Sequence, residues 1–193
     1  MNDKPQSVGI SRQQALELIK KYLSQDNLVK HCLATEAIMR ALAKKIGCDE
    51  NVWGIAGLLH DLDFNETRDR MEVHALETEK ILQGLGVSRE ITDAIKGHNA
   101  DNLGFQRTTV FEFALTAAEC ITGLIVATAL VYPDKKLASV KPQSIIKRMK
   151  QKEFARSVNR YYIRECEKIG ISLEEFAALS LAAMCTVSDE LGL

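Results

Sequence analysis

Apolar residues recur every three or four positions along most of this chain, and no stretch sustains an alternation of two, so the pattern predicts helices throughout. Ser11 and Gln14 have capping-box spacing and predict a first helix to about Leu23. Asp26 is placed to cap a second, closed by Gly47. Within it Leu28, Cys32, Thr35, Met39, Leu42 and Ile46 step by four and three. Val52, Ile55, Ala56 and Leu59 mark a third. A fourth is expected over Val73–Leu85, stopping at Gly84-Leu85-Gly86, with His74 sharing a face with Ile81 and Leu85. Ser88 should cap a fifth carrying Ile91, Ile95 and His98. A long apolar helix follows and ends before Pro133. Ser172 and Glu175 predict a last helix with Phe176, Ala177, Ser180, Met184, Val187 and Leu191 on one side. The three prolines stand at 5, 133 and 142, leaving a long proline-free interval for helices. The expected fold is all-α, a single compact multi-helix bundle.

Length fits one unit: 193 residues against a nominal ~150 per domain. A chain this long can bury roughly 70% of its unfolded surface and needs no staples. The 46% hydrophobic and 26% charged fractions are those of a globular protein and exclude a disordered or collagen-like one. The five cysteines include no CxxC pair, which argues against a disulfide framework or zinc ribbon and for a reducing, cytoplasmic setting. They read as small buried apolar groups. MNDKPQSVGISRQQ lacks the apolar core of a signal peptide. Phe113 to Tyr132 is long enough to span a bilayer, but Glu119 at its centre would cost about 2.5–3.5 kcal/mol there. Thr116, Thr122 and Thr128 dilute the run further, so a buried core helix is expected and no membrane partner.

The net charge of −1 conceals an uneven distribution. Residues 135–164 hold ten Lys/Arg and one acid, Glu153; the remainder holds 15 basic and 25 acidic residues. The bland reading is a solvated amphipathic helix pair. The functional one is a cationic rim facing an incoming anion. Few aromatics accompany these cations (Phe154, Tyr161, Tyr162), which argues against a nucleic-acid surface.

Only four histidines occur, His31, His60, His74 and His98, each from a separate predicted helix and each on or beside its core face. Asp61 follows His60 directly after an apolar run, and Glu119 is the one charge in the long apolar helix. Buried carboxylates are costly unless paired or ligated to a metal. Four imidazoles and two carboxylates suit a mixed nitrogen–oxygen site for a first-row transition ion: Fe, Mn, Ni, Co or Zn. Trp53 reads as core, and Gly84 and Gly86 as a helix end rather than a phosphate loop.

The order H…HD…H…H…carboxylate resembles the HD-domain superfamily of metal-dependent phosphohydrolases, most closely its HDIG-type members. The resemblance covers His31 to about Leu193. GLLHDLDF carries the pair His60–Asp61, VHALETEKIL carries His74, IKGHN carries His98, and AAECITGLIVA places Glu119 where the family usually has Asp. It implies one HD-type helical domain over 1–193, with a core of about 26–132 and a basic helical extension over about 135–193. It further implies one or two divalent ions: His31, His60, Asp61 and Glu119 holding one, and Asp61 bridging to a second held by His74 and His98. Two such ions, roughly 3.5–4 Å apart, activate a water for attack on phosphorus. Asp63 and Glu66 are candidates for catalytic acid or supporting groups, and Arg107, Lys147 and Arg160 for substrate cations.

The function expected is hydrolysis of a small phosphate ester, a nucleotide among the candidates. The alternatives are a non-catalytic metal or nucleotide sensor, and a di-iron oxygenase on a similar scaffold. The expected partner is a small phosphorylated substrate, with a homo-oligomer left open.

Overall fold

A computed structural model describes residues 8–193; Pro5 and the first half of the MNDKPQSVGISRQQ stretch lie outside them. Capping chemistry sets many of the helix ends. Ser11 and Gln14 cap each other's backbone at the start of α1 (Arg12–Tyr22), and Gly47, at φ 81°, ends α2 (Asp26–Ile46) in the left-handed conformation glycine tolerates. Then come α3 (Glu50–Leu59), α4 (Phe64–Thr67), α5 (Leu76–Gly84), α6 (Arg89–His98) and α7 (Ala100–Leu103). A capping box of Thr109 and Glu112, unnoticed in the sequence, opens the apolar α8 (Val110–Leu130). Beyond it lie α9 (Pro142–Met149), α10 (Arg160–Ile163), α11 (Leu173–Cys185) and α12 (Ser188–Leu191), with 3-10 turns at Leu137–Ser139 and Arg164–Ile169. No strand occurs among the described residues.

Helix α8 is the central element. It packs against α2, α6, α9, α10 and the 3-10 turn at Arg164–Ile169. Among the described residues it is the one helix long and apolar enough to cross a membrane, but most of it is enclosed by protein, with Leu115, Ala118, Ile121 and Ile125 fully buried. Trp53 lies in the core, its ring stacked on Phe111 at 4.8 Å.

Several expectations need correction. Asp26 is the first residue of α2 rather than its cap, and it pairs with Lys30 one turn on. The fourth helix begins at Leu76, so His74 precedes it in a turn. Ala75 at φ 74° breaks the helical path, and the Asn99 amide takes up the carbonyls of Met71 and His74 at 2.7 and 2.9 Å. Leu85 is exposed. The last helix is interrupted at Thr186–Val187. The basic segment contains two helices, the two-turn α9 and the single-turn α10, separated by a loop over 150–159. Cys48 is exposed, and Cys120 and Cys185 are partly so; all five cysteines are unpaired.

Helices α2 and α3 cross closely, backbone against backbone. A Cβ on Gly57 would lie 2.9 Å from the Thr35 carbonyl oxygen and 3.0 Å from the Glu36 Cα, both backbone atoms. The crossing brings His31 and His60 within reach of each other. Gly57→Ala should therefore destabilise the fold by about 1–3 kcal/mol through overpacking. Thermal unfolding followed by circular dichroism measures this; an unchanged midpoint would mean that the helices can part at no cost.

Candidate metal centre

Each site residue is delivered by a different structural device. His31 lies mid-helix on α2, His60 caps the C-terminus of α3 with Asp61 next to it, His74 sits in the turn before α5, His98 is the last residue of α6, and Glu119 lies mid-helix on α8. Four of these six positions, His60, Asp61, His74 and His98, are helix ends or turns, where a side chain projects without a full helical neighbourhood.

The histidines converge in two pairs on opposite oxygens of one carboxylate. His31 and His60 approach with their Nε2 atoms 3.1 Å apart, and His74 and His98 with theirs 2.9 Å apart. Asp61 Oδ2 lies 3.7 Å from His31 Nε2 and 3.5 Å from His60 Nε2. Asp61 Oδ1 lies 3.2 Å from His74 Nε2 and 3.6 Å from His98 Nε2. Two ligand groups thus close to metal spacing, His31–His60–Asp61 and Asp61–His74–His98, with Asp61 common to both.

The other ring nitrogen of every histidine faces an acceptor. His60 Nδ1 donates to the Gly57 carbonyl at 2.9 Å, and His98 Nδ1 to that of Ile95. His74 Nδ1 lies 2.8 Å from Asp63 Oδ1 and 3.0 Å from the Thr67 hydroxyl, which itself donates to the Asp63 carbonyl. His31 Nδ1 lies 2.9 Å from Thr122 Oγ1, whose proton goes to the Glu119 carbonyl at 2.6 Å. All four rings are therefore anchored through Nδ1 with Nε2 aimed at the centre, the arrangement metal-binding histidines use.

Metal ions suit this donor set. Lone pairs facing one another at such distances repel unless a proton or a cation lies between them. Two nitrogens bound at right angles to one first-row ion at ~2.1 Å stand ~3.0 Å apart, close to both gaps. Titration properties show the same crowding. Burial lowers His31 and takes His60 down to about 3. Burial opposes charge on His74 too, but hydrogen bonds to Asp61 and Asp63 outweigh it and raise it to about 9. Asp61 resists its own burial and is held well below the usual carboxylate range, first by His60 and then by the other histidines.

A model of the HD domain matches residues 28–129. This chain belongs to the HD-domain family. Among curated proteins it is similar to Ribonuclease Y of Chloroflexus aurantiacus, 31% identical over 97 residues. That alignment takes in 50% of this chain and 18% of the Ribonuclease Y, so the chain spans well under half the length of that relative. No solved structure matches.

Glu119 departs from the ligand set that the HD resemblance implies. It is in neither closed group; its Oε1 accepts the Cys120 thiol at 2.8 Å, and its side chain lines the clefts on both sides of the centre. Burial, joined by the charge of Asp61, raises its carboxyl to about 8.

The other sequence candidates have different places. Asp63 is buried against His74 and positions that ring. Glu66 is exposed on α4 and lines neither cleft. Arg107 is only 5% exposed; it pairs with Asp101 and Glu165, donates to the Gly97 carbonyl and lies over the Tyr162 ring. Arg160 spends its donors on the carbonyls of Gln151, Phe154, Ala155 and Val158. Lys147 is exposed on α9, away from both clefts. Sequence reasoning missed Thr122, Thr67 and Asn99, which orient the ligands or their backbone, and Tyr162, which lines both clefts. Helical spacing does put Thr122 three residues from Glu119; the others had no local signal.

Elemental analysis distinguishes the roles. Asp61→Ala should deplete both halves, whereas His31→Ala or His98→Ala should deplete mainly one, with helix content retained in each. Asp63→Asn, which weakens the hold on His74, should reduce metal affinity about 10–100-fold, measured by competition with a chelator. Metal content unchanged in Asp61→Ala would refute the ligand assignment.

Proposed function

We propose that this HD-domain protein is a metal-dependent phosphohydrolase acting on a small phosphate ester, with nucleotides one candidate class, in a reducing cytoplasmic setting that suits its unpaired cysteines. The observation that carries this reading is the sharing of one carboxylate, oxygen by oxygen, between two histidine pairs. Ions held by His31, His60 and Asp61, and by Asp61, His74 and His98, would neutralise phosphate charge and acidify a bound water.

The chain's own contribution is positional. Asp61, His60 and His74 are almost fully buried, so the polar centre has low-dielectric walls and its electrostatic interactions are strong. Nδ1 anchors on all four rings prevent reorientation when substrate enters. One cleft of about 190 Å³ reaches Asp61, His74 and His98, and another of about 310 Å³ reaches His31; Glu119 and Tyr162 line both. A phosphate ester lying along this trough would place its phosphorus beside Asp61 and its organic group in the adjoining clefts. Asp63 supports His74 rather than touching substrate, and Arg107 acts through Tyr162 and Asp101.

The relative's name makes an RNA phosphodiester a second substrate class, and the exposed cations around residues 147–156 favour it.

Protein loaded separately with Mn, Fe, Co, Ni or Zn should release phosphate from at least one member of a panel of nucleotides and sugar phosphates. Asp61→Ala should lower that rate at least ~100-fold. Tight nucleotide binding without turnover under every metal would replace this reading with a sensor, and oxygen uptake by the iron form with an oxygenase. Cleavage of an oligoribonucleotide alone would favour the RNA reading.

A further inference from the structure

The His31-side cleft has a wall outside the segment that matches the HD domain. Ser157, Val158 and Asn159 line it, and they end the loop over 150–159. This loop is built rather than slack. The Arg160 guanidinium lies within it and binds four of its carbonyls, those of Gln151, Phe154, Ala155 and Val158. Ala155 is held at φ 45°, a conformation a non-glycine residue adopts only under constraint. The loop also packs closely onto α8: a Cβ on Gly123 would be 3.1 Å from Val158 Cγ2.

A cation is thus spent on shaping a segment that itself carries Lys150, Lys152 and Arg156, all exposed. Among the described residues none of these three has a carboxylate within 4.0 Å. Arg156 is adjacent to the cleft-lining Ser157. The other cleft has no Lys or Arg in its lining. There Asp101, half-exposed, accepts from the Tyr162 hydroxyl at 2.6 Å and is neutralised by Arg107. A substrate across the trough therefore meets unpaired positive charge at one end only.

We propose that the 150–159 loop forms an anion subsite on the His31 side, in which Lys152 and Arg156 select small substrates carrying a second phosphate beyond the one at the centre. This rests on the phosphate-ester reading of the metal centre. The smaller cleft offers a second anion no Lys or Arg, so the uncharged part of the substrate occupies it. The loop cations are solvent-exposed, so the preference is moderate and salt-sensitive.

Calorimetric titration of the metal-loaded full chain with adenosine 3′,5′-bisphosphate and with adenosine 5′-monophosphate tests this. The bisphosphate should bind about tenfold more tightly at low ionic strength, with the ratio shrinking in ~0.5 M salt. Lys152→Gln/Arg156→Gln should bring the ratio close to one, while Lys136→Gln leaves it intact. Equal affinities in the unaltered protein, no measurable binding of either probe, or a ratio that survives the double variant would overturn the subsite. A five-residue oligoribonucleotide binding more than about tenfold tighter than the bisphosphate would overturn the small-substrate assignment in favour of RNA. A bisphosphate preference lost in the double variant, in protein that hydrolyses nothing, would leave the subsite standing and remove the catalytic reading. Hydrolysis without the preference would do the reverse.

Discussion

Four imidazole Nε2 atoms and one carboxylate crowd into a largely buried space reached by two clefts, and this protein's structure is arranged to tolerate that crowding. Without a compensating positive charge the Nε2 atoms repel in pairs across about 3 Å. Asp61 offers one oxygen to each pair, and the Nδ1 anchors stop the rings from turning away. Apart from Asp63, the anchors are neutral acceptors: two helix carbonyls and two threonine hydroxyls whose protons are already committed. Such anchors fix orientation with little added charge. Removing one leaves its ring present but poorly aimed.

The helical scaffold serves that geometry. The α2–α3 crossing is close because Gly57 has no side chain, and the same residue's carbonyl anchors His60. Helix α8 supplies Glu119 and Thr122 from a segment whose apolar length is explained by its central position in the core. Its partial exposure at Glu119 coincides with the two clefts. The extra methylene of Glu119 lets its carboxyl reach the Cys120 thiol rather than close either ligand group, so the site's asymmetry comes from one residue on the central helix.

Beyond the HD-matching segment, the chain turns from the metal centre to its surroundings. From there Tyr162 reaches back to Asp101 and Arg107, both inside the matching segment, and burial together with Asp101 raises the Tyr162 hydroxyl to about 12, keeping it a donor. Arg160 shapes the neighbouring loop from inside. Two arginines that charge counting places at the substrate therefore act one layer behind it, because their guanidinium donors are already committed to backbone carbonyls or carboxylates.

Local pattern alone determined the all-helical architecture, most helix positions and the identity of the four histidines and two carboxylates. Periodicity, capping residues and the scarcity of histidine are properties of neighbours along the chain. It misplaced His74 on a helix because the decisive forces there are long-range: Asn99, 25 residues away, takes its carbonyl, and Asp63 takes its ring. It read the 135–164 cations as one class, whereas folding separates Arg160, half-buried and bound to backbone carbonyls, from the exposed Lys152 and Arg156. Which oxygen of Asp61 faces which pair, where Glu119 turns, and how the clefts divide were decided only in three dimensions. Those distances depend on how helices cross, and crossings are set by packing between residues that no sequence interval connects.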